Sequence, residues 1–151
     1  MCDCKITLLT SPIQIEGISI KTTNQNNQAQ KDLGILWNKF LSENIPSQIT
    51  NKLNENIYVL YTDYEGDFTK PYKCVIGCEV KTSTENSTLS HKIIPSGNYA
   101  FFKAEGKMPD ELMNTWQKIW NSNLDRSYIC DFEIWKTIDG KTEVEIYIGL
   151  K

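Results

Sequence analysis

Residues 128–136 read Tyr128-Ile129-Cys130-Asp131-Phe132-Glu133-Ile134-Trp135-Lys136. Successive side chains of a strand point to opposite faces, so a period of two marks a strand. One face of this strand carries Tyr128, Cys130, Phe132 and Ile134. The other carries Ile129, Asp131, Glu133 and Trp135. The apolar set is expected to pack beneath helices. Glu133 beside Trp135 on the opposite face is the most specific local feature of the chain.

Working outward, the turn Asp139-Gly140 joins this strand to a second one over Glu143 to Leu150. Upstream, Pro109-Asp110-Glu111 suits the first turn of a helix, with Pro early and acids at the positive end of the helix dipole. Leu112, Met113, Trp116, Ile119 and Trp120 form its apolar stripe. A strand follows Gly97 and runs through Ala104, preceded by Ile93-Ile94-Pro95-Ser96. The first half repeats the order. Ile13 to Thr22 reads as a strand, and Leu33, Leu36, Trp37, Phe40 and Leu41 as a helix closed by Pro46. Ile57 to Tyr64 and Tyr72 to Lys81 read as two more strands, with a polar loop from Thr82 to Ser90.

The halves overlay. Leu33-x-x-x-Trp37-x-Lys39 matches Leu112-x-x-x-Trp116-x-Lys118, Gly17 matches Gly97, Tyr58 matches Tyr128, and Gly77 matches Gly149. The prediction is an α+β fold within a single domain over 1–151, built from duplicated β-α-β-β modules at about 12–82 and 92–151. Its antiparallel sheets would carry helices on one face and a ligand cleft on the other.

Parity applied to the matching strands selects Val59, Tyr61 and Asp63, then Tyr99, Phe101 and Lys103, then Glu145, Tyr147 and Gly149. The expected site is therefore Glu133 ringed by Tyr61, Tyr99, Phe101, Trp135 and Tyr147, with an edge of Trp120 at the rim. Trp37 and Trp116 are assigned to core packing. Such a box attracts a flat or cationic guest by stacking and cation–π attraction, worth up to about 2 kcal/mol when desolvated. A carboxylate at its floor pairs with a positive ligand. The same aromatic face also fits a dimer interface or a plain strand surface with Glu133 paired to a lysine.

The chain is long enough for a real core at 151 residues, and 40% of it is hydrophobic. A net charge of -3 with scattered lysines argues against direct nucleic-acid binding. No 18-residue apolar run is present, and the N-terminus lacks the pattern of a secretory signal, so a cytoplasmic location is expected. The five cysteines, Cys2, Cys4, Cys74, Cys78 and Cys130, are expected as free thiols there. With His91 the only histidine, neither a metal site nor a cofactor is expected. Abundant Asn, Lys and Ile point to an AT-rich bacterial genome.

The motifs in order resemble the GyrI-like effector-binding domain, which also serves as the ligand sensor of AraC-type and MerR-type multidrug regulators. The matching residues begin with Ile15-Glu16-Gly17, Leu36-Trp37-x-x-Phe40 and the run from Ile57 through Tyr61-Thr62-Asp63-Tyr64 to Asp67. They continue with Tyr72-x-x-x-Ile76-Gly77-x-Glu79-Val80 and Ile94-Pro95-Ser96-Gly97-x-Tyr99. They end with Trp116-x-x-Ile119-Trp120, Arg126-Ser127-Tyr128-x-x-Asp131-Phe132-Glu133 and Glu145-Ile146-Tyr147-Ile148-Gly149. The resemblance implies a pocket between two modules, with Glu133 as the acid that meets cationic ligands. A DNA-binding helix-turn-helix is not expected beside the domain, and the expectation is a stand-alone binder of a small lipophilic or cationic molecule. Similarity to stand-alone members of the family also implies two alternatives. One is a hydrolase of cyclopropane-containing compounds using Glu133; the other is a protein-interaction module of the gyrase-inhibitor type.

Overall fold

The protein is described by a computed structural model that covers residues 5–67, 69–81 and 89–151. Cys2, Cys4 and most of the loop expected from Thr82 to Ser90 lie outside the described residues. The chain runs β1 (Lys5–Leu9), β2 (Ile13–Thr22), a 3-10 turn (Gln25–Asn27), α1 (Gln28–Ser42), α2 (Ile45–Gln48), β3 (Ile57–Thr62), β4 (Tyr72–Glu79), β5 (Ser90–Ile94), β6 (Gly97–Glu105), α3 (Asp110–Trp120), β7 (Arg126–Ile138) and β8 (Lys141–Leu150). The order β2-α1-β3-β4 recurs as β6-α3-β7-β8, which is the expected α+β duplication. Strands β1 and β5 lie outside the two modules and were not predicted as separate elements. Both are short, and β1 exposes its apolar Ile6 and Leu8, so neither has a long alternating pattern to announce it.

All strands join one antiparallel sheet in the order β1-β6-β8-β7-β3-β4-β2-β5. The modules meet at its centre, where β7 pairs with β3 and Glu133 lies opposite Val59. This order forces curvature. β1 and β2 occupy the first and seventh places but are joined by residues 10–12 alone. In a flat sheet those places are roughly 29 Å apart, whereas the link reaches at most about 14 Å. β5 and β6, in the eighth and second places, are joined by residues 95 and 96. The sheet therefore rolls, and its inner face becomes a core of its own, where Leu9 and Ile13 meet Ile94, Tyr99 and Phe132.

The outer face is covered by helices. α1 lays Leu36 and Phe40 over Ile18, Val59 and Ile76. α3 lays Ile119 over Ala100, Val144, Ile146 and Ile148. The helix closed in expectation by Pro46 ends earlier, because Asn44 takes a left-handed conformation (φ 51°) and Pro46 sits in the first turn of α2. In the pairing of β2 with β4, Gly17 lies opposite Gly77. A Cβ on Gly17 would lie 2.0 Å from the Ile76 carbonyl oxygen, and one on Gly77 would lie 2.3 Å from that of Glu16. Only glycine fits either position.

Rolling corrects the assignment of faces. Cys130, Phe132 and Ile134 were expected beneath the helices, but they line the inside of the roll. Glu133 and Trp135 were expected on the face away from the helices, but they point outward, beneath α1 and α3. An apolar strand face identifies the helix side only when the other face meets water, and here both are covered.

Candidate functional site

β7 is the central strand, and its outer face carries two carboxylates two residues apart, each fully withdrawn from water. Asp131 is 0% exposed and Glu133 2%. A buried charge costs several kcal/mol unless its surroundings compensate it. The two are compensated differently.

Asp131 has a cation. Arg126 Nη2 donates to its Oδ2 at 2.7 Å, Tyr64 Oη donates to the same oxygen at 2.6 Å, and the Gly149 backbone N–H donates to Oδ1 at 2.9 Å. The Arg126 guanidinium also lies 4.5 Å over the Tyr128 ring. This network holds the irregular start of β7, where pairing with β8 jumps between Arg126 and Asp131 and Tyr128 takes φ 54°. It fixes the frame on which Glu133 sits.

Glu133 is held by neutral donors. Tyr61 Oη and Trp116 Nε1 donate to Oε2 at 2.9 and 2.7 Å, and Trp135 Nε1 donates to Oε1 at 2.8 Å. Burial pushes the Glu133 carboxyl above the ordinary glutamate range, and the three hydrogen bonds pull it back only in part. Tyr61 is raised well above the usual phenol value by burial and then by the negative charge of Glu133, so it remains a donor.

The donors come from different elements: Tyr61 from β3, Trp135 from β7 itself and Trp116 from α3. α1 supplies Trp37, whose ring meets Trp135 edge-on with centroids 5.2 Å apart. Tyr61 and Trp116 meet edge-on at 5.6 Å. Trp37 and Trp116 are the residues that overlay between the modules; Trp116 donates to Glu133, and Trp37 packs on Trp135, another of its donors. All four rings are half-buried while Glu133 is buried. Trp120 lies one helical turn beyond Trp116, 6.0 Å from it and 56% exposed.

Of the residues expected around Glu133, Tyr61 and Trp135 touch it and Trp120 stands at the margin. Tyr99, Phe101 and Tyr147 do not join it. They lie across the sheet on the inner face, where Tyr147 stacks on Phe132 with centroids 4.6 Å apart and touches Phe101 at 5.2 Å. The reason is register. Glu133 pairs with Ile146, which puts Tyr147 opposite Phe132, and a one-residue slip turns every side chain of a strand to the other face. Trp116, expected in core packing, does pack against the α3 core and also donates to the carboxylate; its equivalence with Trp37 in the two modules was the available signal for that second role.

A family model described as Cass2, integron-associated effector binding protein, matches residues 10–150. The chain belongs to this family. The Cass2 assignment agrees with the effector-binding resemblance read from the motifs. Among solved structures, the integron cassette protein VCH_CASS2 of Vibrio cholerae is 29% identical with a TM-score of 0.77, over 98% of this chain and 95% of that one. SAV2435, solved bound to tetraphenylphosphonium, is 18% identical with a TM-score of 0.79, over 99% and 94% of the two chains. A putative transcription regulation protein of Staphylococcus aureus is 17% identical with a TM-score of 0.77, over 100% and 99%. No curated protein sequence gives a significant match. Among the described residues, no helix of this Cass2-family chain is long and apolar enough to cross a membrane.

Proposed function

We propose that the chain binds a small lipophilic organic cation over Glu133. The observation that carries this reading is a buried carboxylate whose hydrogen bonds come from a phenol and two indoles, with no cation among them. Inside the domain the negative charge is solvated but not neutralised. A guest that brings positive charge and a flat apolar surface supplies what is missing. Three sites on the two carboxylate oxygens are already filled, so attraction acts on the charge of the guest without requiring it to donate a proton.

Tyr61, Trp116, Trp135 and Trp37 provide the walls, and exposed Trp120 provides the rim at the end of α3. These rings rest on one another edge-to-face, and a guest exchanges those contacts for stacking and cation–π contacts with itself. Tyr99, Phe101 and Tyr147 are left out of this set because the sheet separates them from Glu133. The tetraphenylphosphonium held by SAV2435 is a cation of this class and a suitable first probe.

The test is isothermal titration with tetraphenylphosphonium and with neutral triphenylphosphine oxide, using the wild type and Glu133→Gln. The wild type is expected to bind the cation, and the variant to lose more than about tenfold in affinity for it. Affinity for the neutral compound should change little. Equal loss for both compounds, or no binding of either cation or neutral probe, overturns the proposal.

A further inference from the structure

A concavity of ≈ 430 Å³ opens at one end of the roll, where β3 finishes and β7 begins. Its volume falls in the range of small-ligand sites, about 300–1,000 Å³. Ile93 and Pro95 wall it from the β5 side, Ile129 from β7, and the Tyr64 and Tyr128 rings stand beside them. Ile93 and Ile129 are 54% and 63% exposed. Thr62 and Cys130, paired across β3 and β7, form part of its lining. It is not the Glu133 site: Ile129 is four residues from Glu133 along β7, roughly 13 Å.

A carboxylate at this mouth is held by two ammonium groups. It is that of Asp63, whose Oδ2 lies 2.6 Å from Lys92 Nζ and 3.8 Å from Lys73 Nζ. The neighbouring Lys21 is engaged by Glu65. Among the described residues, two ammonium groups from β5 and β4 thus share the Asp63 carboxylate, so the cluster carries one more positive charge than negative beside an apolar wall. The deeper Arg126 is matched by Asp131 and adds nothing to that excess.

We infer that this mouth is a second binding site, taking a small organic anion whose apolar body lies on Ile93, Pro95 and Ile129 and whose acidic group meets Lys92 and Lys73 in place of Asp63. A carboxylate or sulfonate on an aromatic or short aliphatic frame has the required chemistry. Asp63 then acts as an internal competitor for the lysines.

The probe is 1-anilinonaphthalene-8-sulfonate, followed by fluorescence titration of the folded protein, with N-phenyl-1-naphthylamine as its neutral counterpart. Wild type should bind the sulfonate saturably at one site. Lys92→Gln should weaken it, and Asp63→Asn should tighten it, each by about two- to fivefold as expected for exposed charges. The neutral probe should respond to neither. Ile129→Asp, at an exposed position, should weaken both probes. Glu133→Gln should leave the sulfonate unaffected, whereas an anion seated in the cage would bind more tightly once that carboxylate is removed. Absence of saturable binding, equal affinity in both charge variants, or tightening by Glu133→Gln overturns the inference. None of these outcomes depends on whether the cage binds cations.

Discussion

Glu133→Gln in the empty protein tests the account of the cage without any ligand. At a pH where Glu133 is ionised, the wild type carries a buried charge that only neutral donors compensate. The amide removes that charge and keeps the shape, but it accepts at one atom where the carboxylate accepts at two. If its nitrogen takes the Oε2 position it can donate to Tyr61 Oη and leaves Trp116 Nε1–H unpaired; if it takes Oε1 it faces Trp135 Nε1–H. One unpaired indole costs about 1–3 kcal/mol, against relief of a desolvation penalty of several kcal/mol. The sign with pH follows from the raised carboxyl pKa. Between the unfolded and folded pKa values the folded state binds more protons, so the Glu133 contribution is fully present below the unfolded value. It is lost as pH rises, by about 1.4 kcal/mol for each pH unit in that window. The window opens at about pH 4.3, the unperturbed glutamate value. Urea unfolding of both proteins from pH 4 to pH 8 isolates this residue, because all other titrating groups are common to the pair. The variant should gain on the wild type as pH rises, read as a rise in its urea midpoint relative to the wild type of about 0.3–1 M for each kcal/mol. Parallel stability curves across that range would refute the claim that neutral donors only partly compensate the buried carboxylate.

Other substitutions probe the frame. Arg126→Leu strands Asp131 without its cation and should cost about 3–5 kcal/mol, read as a lower urea midpoint; a change under about 1 kcal/mol would mean that Tyr64 and the Gly149 N–H suffice. Gly77→Ala puts a methyl group against the Glu16 carbonyl and should cost at least about 1–3 kcal/mol, seen in the melting temperature. Trp120→Ala, at an exposed position, should change stability by less than about 1 kcal/mol while weakening tetraphenylphosphonium in titration.

The parts of the fold legible in the sequence are those set by neighbours along the chain. The alternation through Phe132-Glu133-Ile134-Trp135 announced β7. Asp139-Gly140 announced its hairpin, and both turn residues do take positive φ, 52° and 77°. The Trp37 and Trp116 stripes announced two equivalent helices. A glutamate among aromatics was legible, and Tyr61 and Trp135 do stand beside it. Its remaining members depend on pairings between distant segments. Parity relates Glu133 to Trp135 but says nothing about whether Ile146 or Tyr147 stands opposite, and that choice moved Tyr99, Phe101 and Tyr147 to the other face. Hydrophobicity failed to decide the helix side of β7 because a rolled sheet buries both of its faces. Asp131 and Arg126 sit five residues apart, yet their contact depends on a break in strand pairing that no periodicity reveals.

The two short links that roll the sheet also determine when the chain can fold. β1 finds its partner only in β6, where Leu9 pairs with Gly97. β2 finds one of its two in β5, and β3 finds one in β7. Neither module completes its own sheet, so the first half emerges from the ribosome with open edges that only the second half can cover. Pairings this distant in sequence are slow to form, on the order of milliseconds to seconds. Half-made chains therefore present bare strands for that interval, and nascent protein should be far more prone to aggregate than the finished fold.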